Sequence, residues 1–225
     1  PVIGGLFDPR MGVSEPGLVC PTDGMTYMDT PGYFGHIDLA KPVYYIQFLN
    51  TIIKILRCIC LKCSKLKICK EKHSSALLLK DKARWDYVFK KASKIRRCGD
   101  ETCNGCGTKQ PLKIMKEGMA NILAEWDNVN KIQINDQIED TLRVKLFPED
   151  IIKLFRRITD DDIEFMGFSP VFSRPEWFVC QTLAIPPPAV RPSVKHDAQQ
   201  RSEDDLSHII VNIIKSNQQL AKKIN

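Results

Sequence analysis

The stretches Cys60–Cys63, with the sequence CLKC, and Cys103–Cys106, with the sequence CNGC, decide the fold of this chain. Two residues between paired cysteines let both thiolates point at one ion from a single tight turn. Two such turns supply the four thiolates of a tetrahedral site, and Gly105 and Gly107 favour a left-handed turn at the second pair. The spacing therefore predicts one structural zinc ion, and its predicted ligands are Cys60, Cys63, Cys103 and Cys106.

The identity of one ligand stays open, because Cys98 lies near enough in the sequence to replace Cys103. The geometry of the Cys-x-x-Cys pair favours Cys103. Disulfides or scattered core thiols are the alternative interpretations of these cysteines. Nine cysteines without a preceding secretory signal favour a metal site in a reducing compartment.

The length and composition are those of a folded chain. The 225 residues allow one or two domains, and the hydrophobic fraction of 43% is ordinary for a globular protein. The sequence has no run of about 18 apolar residues, so we expect no transmembrane helix and no membrane partner.

Positive charge is concentrated in one stretch. The net charge of the chain is +6, but Lys54 to Arg97 contains fifteen Lys and Arg residues and three acidic ones, a local net charge of +12. A basic lobe on an otherwise acidic chain is typical of a surface that binds a phosphate backbone, and a solvated helix face is the alternative. The candidate nucleic-acid ligands in this stretch are Lys90, Lys91, Lys94, Arg96 and Arg97.

Hydrophobic periodicity predicts a mixed α+β fold with short strands. Helices are expected from Pro42 to the first cysteine pair, from Ser74 or Ser75 to Arg97, from Pro148 to Ile158, from Thr159 to Gly167, and from Ser202 onward. Short strands are expected near 112–114, 132–134, 142–146 and 177–185. The predicted segments are 1–41, an N-terminal loop region, 42–111, a helical metal-binding region, and 112–225, an α+β core.

Five motifs occur in a fixed order along the chain. They are Gly4–Gly12 (GGLFDPRMG), Pro31–Val43 (PGYFGHIDLAKPV), Cys106–Pro111 (CGTKQP), Phe172–Trp177 (FSRPEW) and Pro186–Ser193 (PPPAVRPS). Their order and spacing closely resemble the N-terminal part of the largest subunit of multisubunit DNA-directed RNA polymerase, of the archaeal and eukaryotic RNA polymerase II type. The resemblance extends from about Gly4 to about Lys215.

The resemblance implies a clamp core that holds downstream DNA and the RNA–DNA hybrid during transcription, beside other subunits and notably the second-largest. The enzyme would be a nucleotidyltransferase. The family's Mg²⁺-binding signature, Asn-Ala-Asp-Phe-Asp-Gly-Asp, does not occur in these residues, so Mg²⁺ belongs to the full enzyme and this segment is not catalytic by itself. It would carry one structural zinc ion.

The resemblance also implies a second zinc loop, from which this chain departs. The matching positions are Cys20, Asp23, Thr30 and Tyr33. One thiolate among a carboxylate, a hydroxyl and a phenol is a poor zinc site, so we expect no zinc there. Packing of Tyr27, Tyr33 and Phe34 is expected to keep the loop in shape.

The segment from Val194 to Arg201 resembles the family's lid, a loop that helps to separate RNA from the template. Lys195, His196 and Arg201 are its candidate nucleic-acid ligands. The altered motifs suggest a divergent source, such as a large DNA virus. The compartment would be the nucleus, or the cytoplasm or virion for a viral protein.

Two other functions compete with the clamp. A free zinc-ribbon DNA-binding regulator would explain the cysteines and the charge, but it has no reason to keep five motifs in polymerase order. A metal-dependent hydrolase built on Glu203, Asp204 and Asp205 lacks histidine ligands at suitable spacing.

Overall fold

The computed structural model describes residues 2–127, 133–134, 137–138, 141–195 and 201–224. The helices are α1 (Leu49–Cys58), α2 (Asp81–Ala92), α3 (Pro148–Arg156), α4 (Asp160–Phe165) and α5 (Asp205–Ile224). The strands are β1 (Gly35–Tyr44), β2 (Lys113–Glu117), β3 (Asn121–Asp127), β4 (Gln133–Ile134), β5 (Gln137–Ile138), β6 (Thr141–Leu146), β7 (Val179–Ile185), β8 (Val194–Lys195) and β9 (Arg201–Ser202). The mixed α+β class with short strands is therefore confirmed.

The chain divides into two compact units. One contains residues 1–41 and 181–225, and the other contains residues 42–180. The first division falls between Lys41 and Pro42, where the sequence predicted a segment boundary. Strands β1 and β7 pair with each other.

The unit of residues 42–180 is built around one apolar core. Helix α1 supplies the buried side chains of Leu49, Ile52 and Leu56, at the helical spacing that the sequence predicted. Helix α3 adds Ile151 and Phe155 to the same core. The core fixes the end of α1, from which the first cysteine pair follows.

A three-stranded antiparallel sheet covers part of this core. Its order is β2-β3-β6, with Ile114 opposite Ala124 and Ala124 opposite Val144. Ile114 and Ala124 point into the core, while Val144 is exposed on the edge strand. Strand β3 is absent from the sequence prediction, which placed no strand between those near 112–114 and 132–134.

The structure differs from the predicted helices in two places. Pro42 lies within β1 rather than at the start of a helix, and α1 begins at Leu49. Proline is tolerated in this strand because, among the described strands, β1 pairs only with β7 and one of its edges needs no N–H donor. The segment predicted as one helix from Ser74 to Arg97 is a 3₁₀ helix, Ser74–Leu78, followed by α2.

Helix signals later in the chain predict the structure correctly. Pro148 occupies the first turn of α3, and Thr159 caps α4 by accepting a hydrogen bond from the Asp162 backbone amide. The predicted C-terminal helix begins at Asp205, three residues later than the predicted Ser202. No helix within the described ranges is long and apolar enough to cross a bilayer.

Candidate metal centre

The first cysteine pair lies in a tight turn directly after α1. The Cys60 amide donates to the Lys65 carbonyl at 2.9 Å, and the Ser64 amide donates to the Cys60 carbonyl at 2.9 Å. Ser64 has a φ of 63°, the left-handed conformation that closes the turn. Cys60 and Cys63 are thereby placed on one side of the loop.

The second half of the centre is a narrow loop that starts at Cys98. The Cys98 amide donates to the Thr108 carbonyl at 3.0 Å, and the Gly107 amide donates to the Cys98 carbonyl at 3.0 Å. These two bonds bring Cys98 beside Cys106. Gly107 has a φ of 72°, as the predicted left-handed turn requires.

Gly105 is required for a different reason from the one expected. A Cβ atom at Gly105 would lie 2.2 Å from the Gly99 Cα atom, far inside van der Waals contact. The two glycines therefore let the two arms of the loop pass each other with backbone against backbone. This close approach holds the loop between Cys98 and Cys106 closed.

Four cysteine sulfurs converge where the two loops meet. The Sγ atoms of Cys60, Cys63, Cys98 and Cys106 all lie within 4.8 Å of one another. The Sγ atoms of Cys60 and Cys106 are 3.5 Å apart, and those of Cys63 and Cys98 are 3.7 Å apart. A tetrahedral ion with bonds of about 2.3 Å places its sulfurs about 3.8 Å apart, so these thiols fit one metal ion.

Disulfide bonds do not account for the cluster. A disulfide joins its sulfurs at about 2.0 Å, and all nine cysteines are free thiols. The spacing instead leaves room for an ion between the sulfurs.

The fourth cysteine of the sulfur cluster is Cys98, whereas the sequence spacing favoured Cys103. Cys103 is exposed and lies outside the cluster, whereas Cys98 is buried. The reason is the pairing of Cys98 with Gly107 and Thr108, which is a contact between segments and not a feature of local spacing. Cys98 was the open alternative in the sequence.

Gln110 is hydrogen-bonded to the sulfur cluster at Cys60. Its side-chain amide nitrogen donates to the Cys60 sulfur at 3.2 Å, and its side-chain oxygen accepts from the Leu61 amide at 3.0 Å. Donors of this kind orient a thiolate and stabilise its charge. Gln110 lies in the CGTKQP motif, but the cysteine pattern gave no indication of its role.

Asp162 is a second residue that the sequence analysis missed. It is buried in α4, where Oδ2 accepts from the Leu66 amide at 3.3 Å and Oδ1 pairs with the Lys70 ammonium at 2.5 Å. It therefore anchors the segment that leaves the first cysteine turn.

Three of the four thiols, those of Cys60, Cys98 and Cys106, have shifted pKa values. Hydrogen bonds from Thr108 lower the pKa of the exposed Cys106 thiol to about 6, which favours its thiolate form. Burial raises the pKa of Cys98 to about 12 and raises that of Cys60 as well. A bound cation would stabilise the negatively charged, deprotonated form of these two buried thiols.

The five predicted nucleic-acid ligands of the basic stretch lie in two different settings. Lys90, Lys91 and Lys94 are exposed at and just beyond the end of α2. Arg96 donates to the carbonyls of Pro111 and Leu112, and Arg97 donates to the carbonyl of Gly107. The two arginines therefore brace the loop of the metal centre.

The predicted lid is described only at its ends. Val194 pairs with Ser202 and Lys195 with Arg201, in the antiparallel ladder β8–β9. His196 and the rest of the loop, residues 196–200, lie outside the described residues.

Three of the four positions of the altered zinc loop meet at one carboxylate, that of Asp23. Thr30 and Tyr33 donate to Asp23 Oδ2 at 2.8 and 3.0 Å, and the Met25 amide donates to Oδ1 at 2.9 Å. The expected packing is wrong for Tyr27 and Phe34, which are 39% and 73% exposed. Hydrogen bonds to Asp23 thus hold the loop, because the polar side chains satisfy one another.

Comparison with known proteins identifies the family. The family RNA polymerase Rpb1, domain 1, matches residues 1–225. The chain is similar to DNA-directed RNA polymerase II subunit RPB1 of Euplotoides octocarinatus, with 38% identity over 234 residues. It is also similar to DNA-directed RNA polymerase subunit Rpo1N of Methanocaldococcus jannaschii, with 37% identity over 234 residues.

Both similarities cover the whole of this chain, which spans 48% of the first relative and 16% of the second. They favour the largest-subunit interpretation over a free zinc-ribbon regulator. This chain belongs to the family of domain 1 of the largest RNA polymerase subunit, Rpb1.

Proposed function

We propose that this chain is the clamp portion of the largest subunit of a DNA-directed RNA polymerase. In that role it holds the DNA template and the RNA–DNA hybrid, and it works beside other subunits, notably the second-largest. The observation that carries the proposal is the family match over residues 1–225. Nucleotidyl transfer, with its Mg²⁺, is the activity of the assembled enzyme.

The metal in this proposal is one zinc ion held by Cys60, Cys63, Cys98 and Cys106. The chemistry of the donor set supports zinc, since four thiolates form a closed structural site. The ion would join the end of α1 to the loop after α2, and no position would be left for a substrate. Its role would be to hold the two loops of the lobe together.

The nucleic-acid surface in this proposal begins with Lys90, Lys91 and Lys94. Their exposure and their spacing at the end of α2 support contact with a phosphate backbone. Arg96 and Arg97 hold the loop after α2 through backbone carbonyls, so they would meet a phosphate only with the guanidinium donors that these bonds leave over. Lys195, His196 and Arg201 remain candidates at the upstream end of the hybrid.

Purification from the native source tests subunit membership. A tagged form of the protein is expected to co-purify, at one copy per complex, with a polymerase that extends RNA on a DNA template. A free regulator would instead be recovered apart from the polymerase or in substoichiometric amounts, and that result would overturn the proposal.

Salt-dependent DNA retention by the assembled enzyme tests the basic surface. Replacing Lys90, Lys91 and Lys94 by Ala should make the salt dependence shallower. The magnitude of the negative slope of log K for DNA binding against log salt should fall by about 0.9 per lost contact on duplex DNA. A matched triple change of the exposed Lys116, Lys145 and Lys153 to Ala should leave the slope unchanged. Equal slopes for all three enzymes would identify the end of α2 as a solvated face.

A further inference from the structure

A cationic cavity lies in the unit of residues 42–180, beside the metal centre but separate from its sulfurs. It has a volume of about 210 Å³ and lies between the end of α1, the segment after the first cysteine turn, the loop after α2 and the start of β2. The residues that matter for its chemistry are Arg57, Lys67, Arg96, Gln110 and Lys113.

The charges on the wall of this cavity are all of one sign. Four of the lining side chains are basic, and no acidic side chain lines the cavity within the described part of the chain. Arg57, Lys67, Arg96 and Lys113 form no ion pair with any described residue. Converging like charges repel one another unless an anion lies between them.

The two arginines are fixed in place by neutral acceptors. Arg57 donates to the Ile114 carbonyl through Nε at 3.1 Å and Nη2 at 2.5 Å. Arg96 Nη1 donates to the Leu112 carbonyl at 2.5 Å. These bonds use some of the five donors of each guanidinium and leave its charge uncompensated. The arginines are thereby preorganised and need little ordering on binding.

Lys67 is the strongest indication that an anion belongs here. The residue is only 4% exposed, and its Nζ donates to the Ile95 carbonyl at 3.1 Å. An ammonium has three donors, and the described residues engage one of them. The pKa of Lys67 is lowered to about 8, mainly by burial and also by the charge of Arg96, while the nearby cysteines, Cys58 first, oppose the shift. Buried charges are normally paired, so a missing partner is expected.

We propose that this cavity binds one oxyanion of phosphate size, held by Arg57, Lys67, Arg96 and Lys113. Arginine and lysine together are the side chains that best recognise tetrahedral oxyanions. The cavity is larger than one water, which takes about 30 Å³, and it has room for the anion with a few waters. The bound anion links α1, the loop after α2 and β2. The site does not depend on the proposed polymerase function.

Hydrogen exchange of the intact, zinc-loaded protein tests the site. Inorganic phosphate is compared with sodium chloride at the same ionic strength and pH, and peptides containing Arg57, Arg96 and Ile114 are followed. Their exchange should slow by a factor of about 1 + [phosphate]/Kd, with no effect in chloride. Lys67→Met should abolish this protection, whereas Lys116→Met, an exposed change of equal charge on β2, should keep it.

A second variant keeps the test decisive if Lys67→Met does not fold. Lys113 is exposed, so Lys113→Met should fold normally and bind phosphate more weakly, with the zinc content measured alongside. Equal protection in phosphate and chloride would overturn the proposal, as would full phosphate protection in the variants.

The source of the oxyanion is identified by competition. A short duplex oligonucleotide is added to the phosphate-bound protein. Loss of the phosphate effect, together with weaker oligonucleotide binding by Lys113→Met, would assign the site to a polynucleotide phosphate. An unchanged phosphate effect would assign it to a free anion. Both outcomes keep the oxyanion site.

Discussion

Tyr33 donates a hydrogen bond to Asp23 Oδ2 at 3.0 Å, across the loop where related polymerases are expected to hold zinc. Thr30 shares the same acceptor at 2.8 Å. The positions that match metal ligands in the family are thus joined here by polar contacts centred on a carboxylate. The loop can be held without an ion, because one acceptor replaces the common centre that a metal would provide.

Removing the acceptor should therefore loosen this loop. Asp23→Asn and Tyr33→Phe are expected to speed hydrogen exchange in residues 20–34, and Asp23→Asn should have the larger effect because it alters three contacts. The control is Asp29→Asn, which alters one exposed contact with Thr26. A chelator should leave exchange in this loop unchanged, and faster exchange with chelator would show that the loop binds metal.

Acid should weaken the same loop. The backbone hydrogen bond from Met25, with those from Thr30 and Tyr33, holds the pKa of Asp23 below its usual value. A carboxyl with a lowered pKa stabilises the fold above its unfolded pKa, and this contribution is lost as pH falls through its folded pKa. Exchange in residues 20–34 should therefore rise below about pH 4. Asp23→Asn should remove this pH dependence, and an unchanged acid response in that variant would contradict the assignment.

Arg191 should be essential to the fold of the unit that contains it. Its side chain is fully buried, donates through Nε to the Pro186 carbonyl at 3.0 Å, also donates to the Leu6 carbonyl, and lies over the Phe7 ring. Arg191→Met should lower the free energy of unfolding by about 2–4 kcal/mol, since these carbonyls would be buried without donors. Thermal or denaturant unfolding measures this loss.

The exposed Arg143 provides the control for that change. Its side chain is 70% exposed, and its contact with Glu125 is 3.7 Å long. Arg143→Met should cost less than about 1 kcal/mol. Equal losses for the two variants would contradict a special role for Arg191.

Gly105→Ala tests the closed loop of the metal centre. The new Cβ atom would lie 2.2 Å from the Gly99 Cα atom, so the backbone must move and Cys98 must separate from Cys106. Metal affinity should fall by about 10- to 100-fold, the range found when support around a metal site is lost. Gly118→Ala adds strain at a φ of 58° in open space, so it should leave metal affinity unchanged.

The features that the sequence predicted correctly depend on local chemistry. The Pro148 and Thr159 signals placed α3 and α4 because a helix start is determined by a few adjacent residues. Cys60, Cys63 and Cys106 were predicted to be close together, and the structure brings them together. The expected helix before the first cysteine pair is also present as α1, and its apolar residues Leu49, Ile52 and Leu56 are buried.

The features that the sequence missed depend on contacts between distant segments. Pro42 has the local signal of a helix start. It lies in a strand instead because β1 pairs with β7, which is more than a hundred positions away in the sequence. Cys98 was ranked below Cys103 because its bonds to Gly107 and Thr108 cannot be read from the Cys-x-x-Cys spacing. The buried Lys67 and Asp162 are likewise ordinary charged residues until the fold surrounds them.

The zinc content of single-cysteine variants tests the central claim most directly. Wild-type protein, Cys98→Ser and Cys103→Ser are purified in the assembled form, and zinc is measured per copy by elemental analysis. The four-cysteine centre predicts that Cys98→Ser contains one zinc fewer than the wild type, while Cys103→Ser keeps the full amount. Loss of zinc in Cys103→Ser with retention in Cys98→Ser would contradict the centre formed by Cys60, Cys63, Cys98 and Cys106.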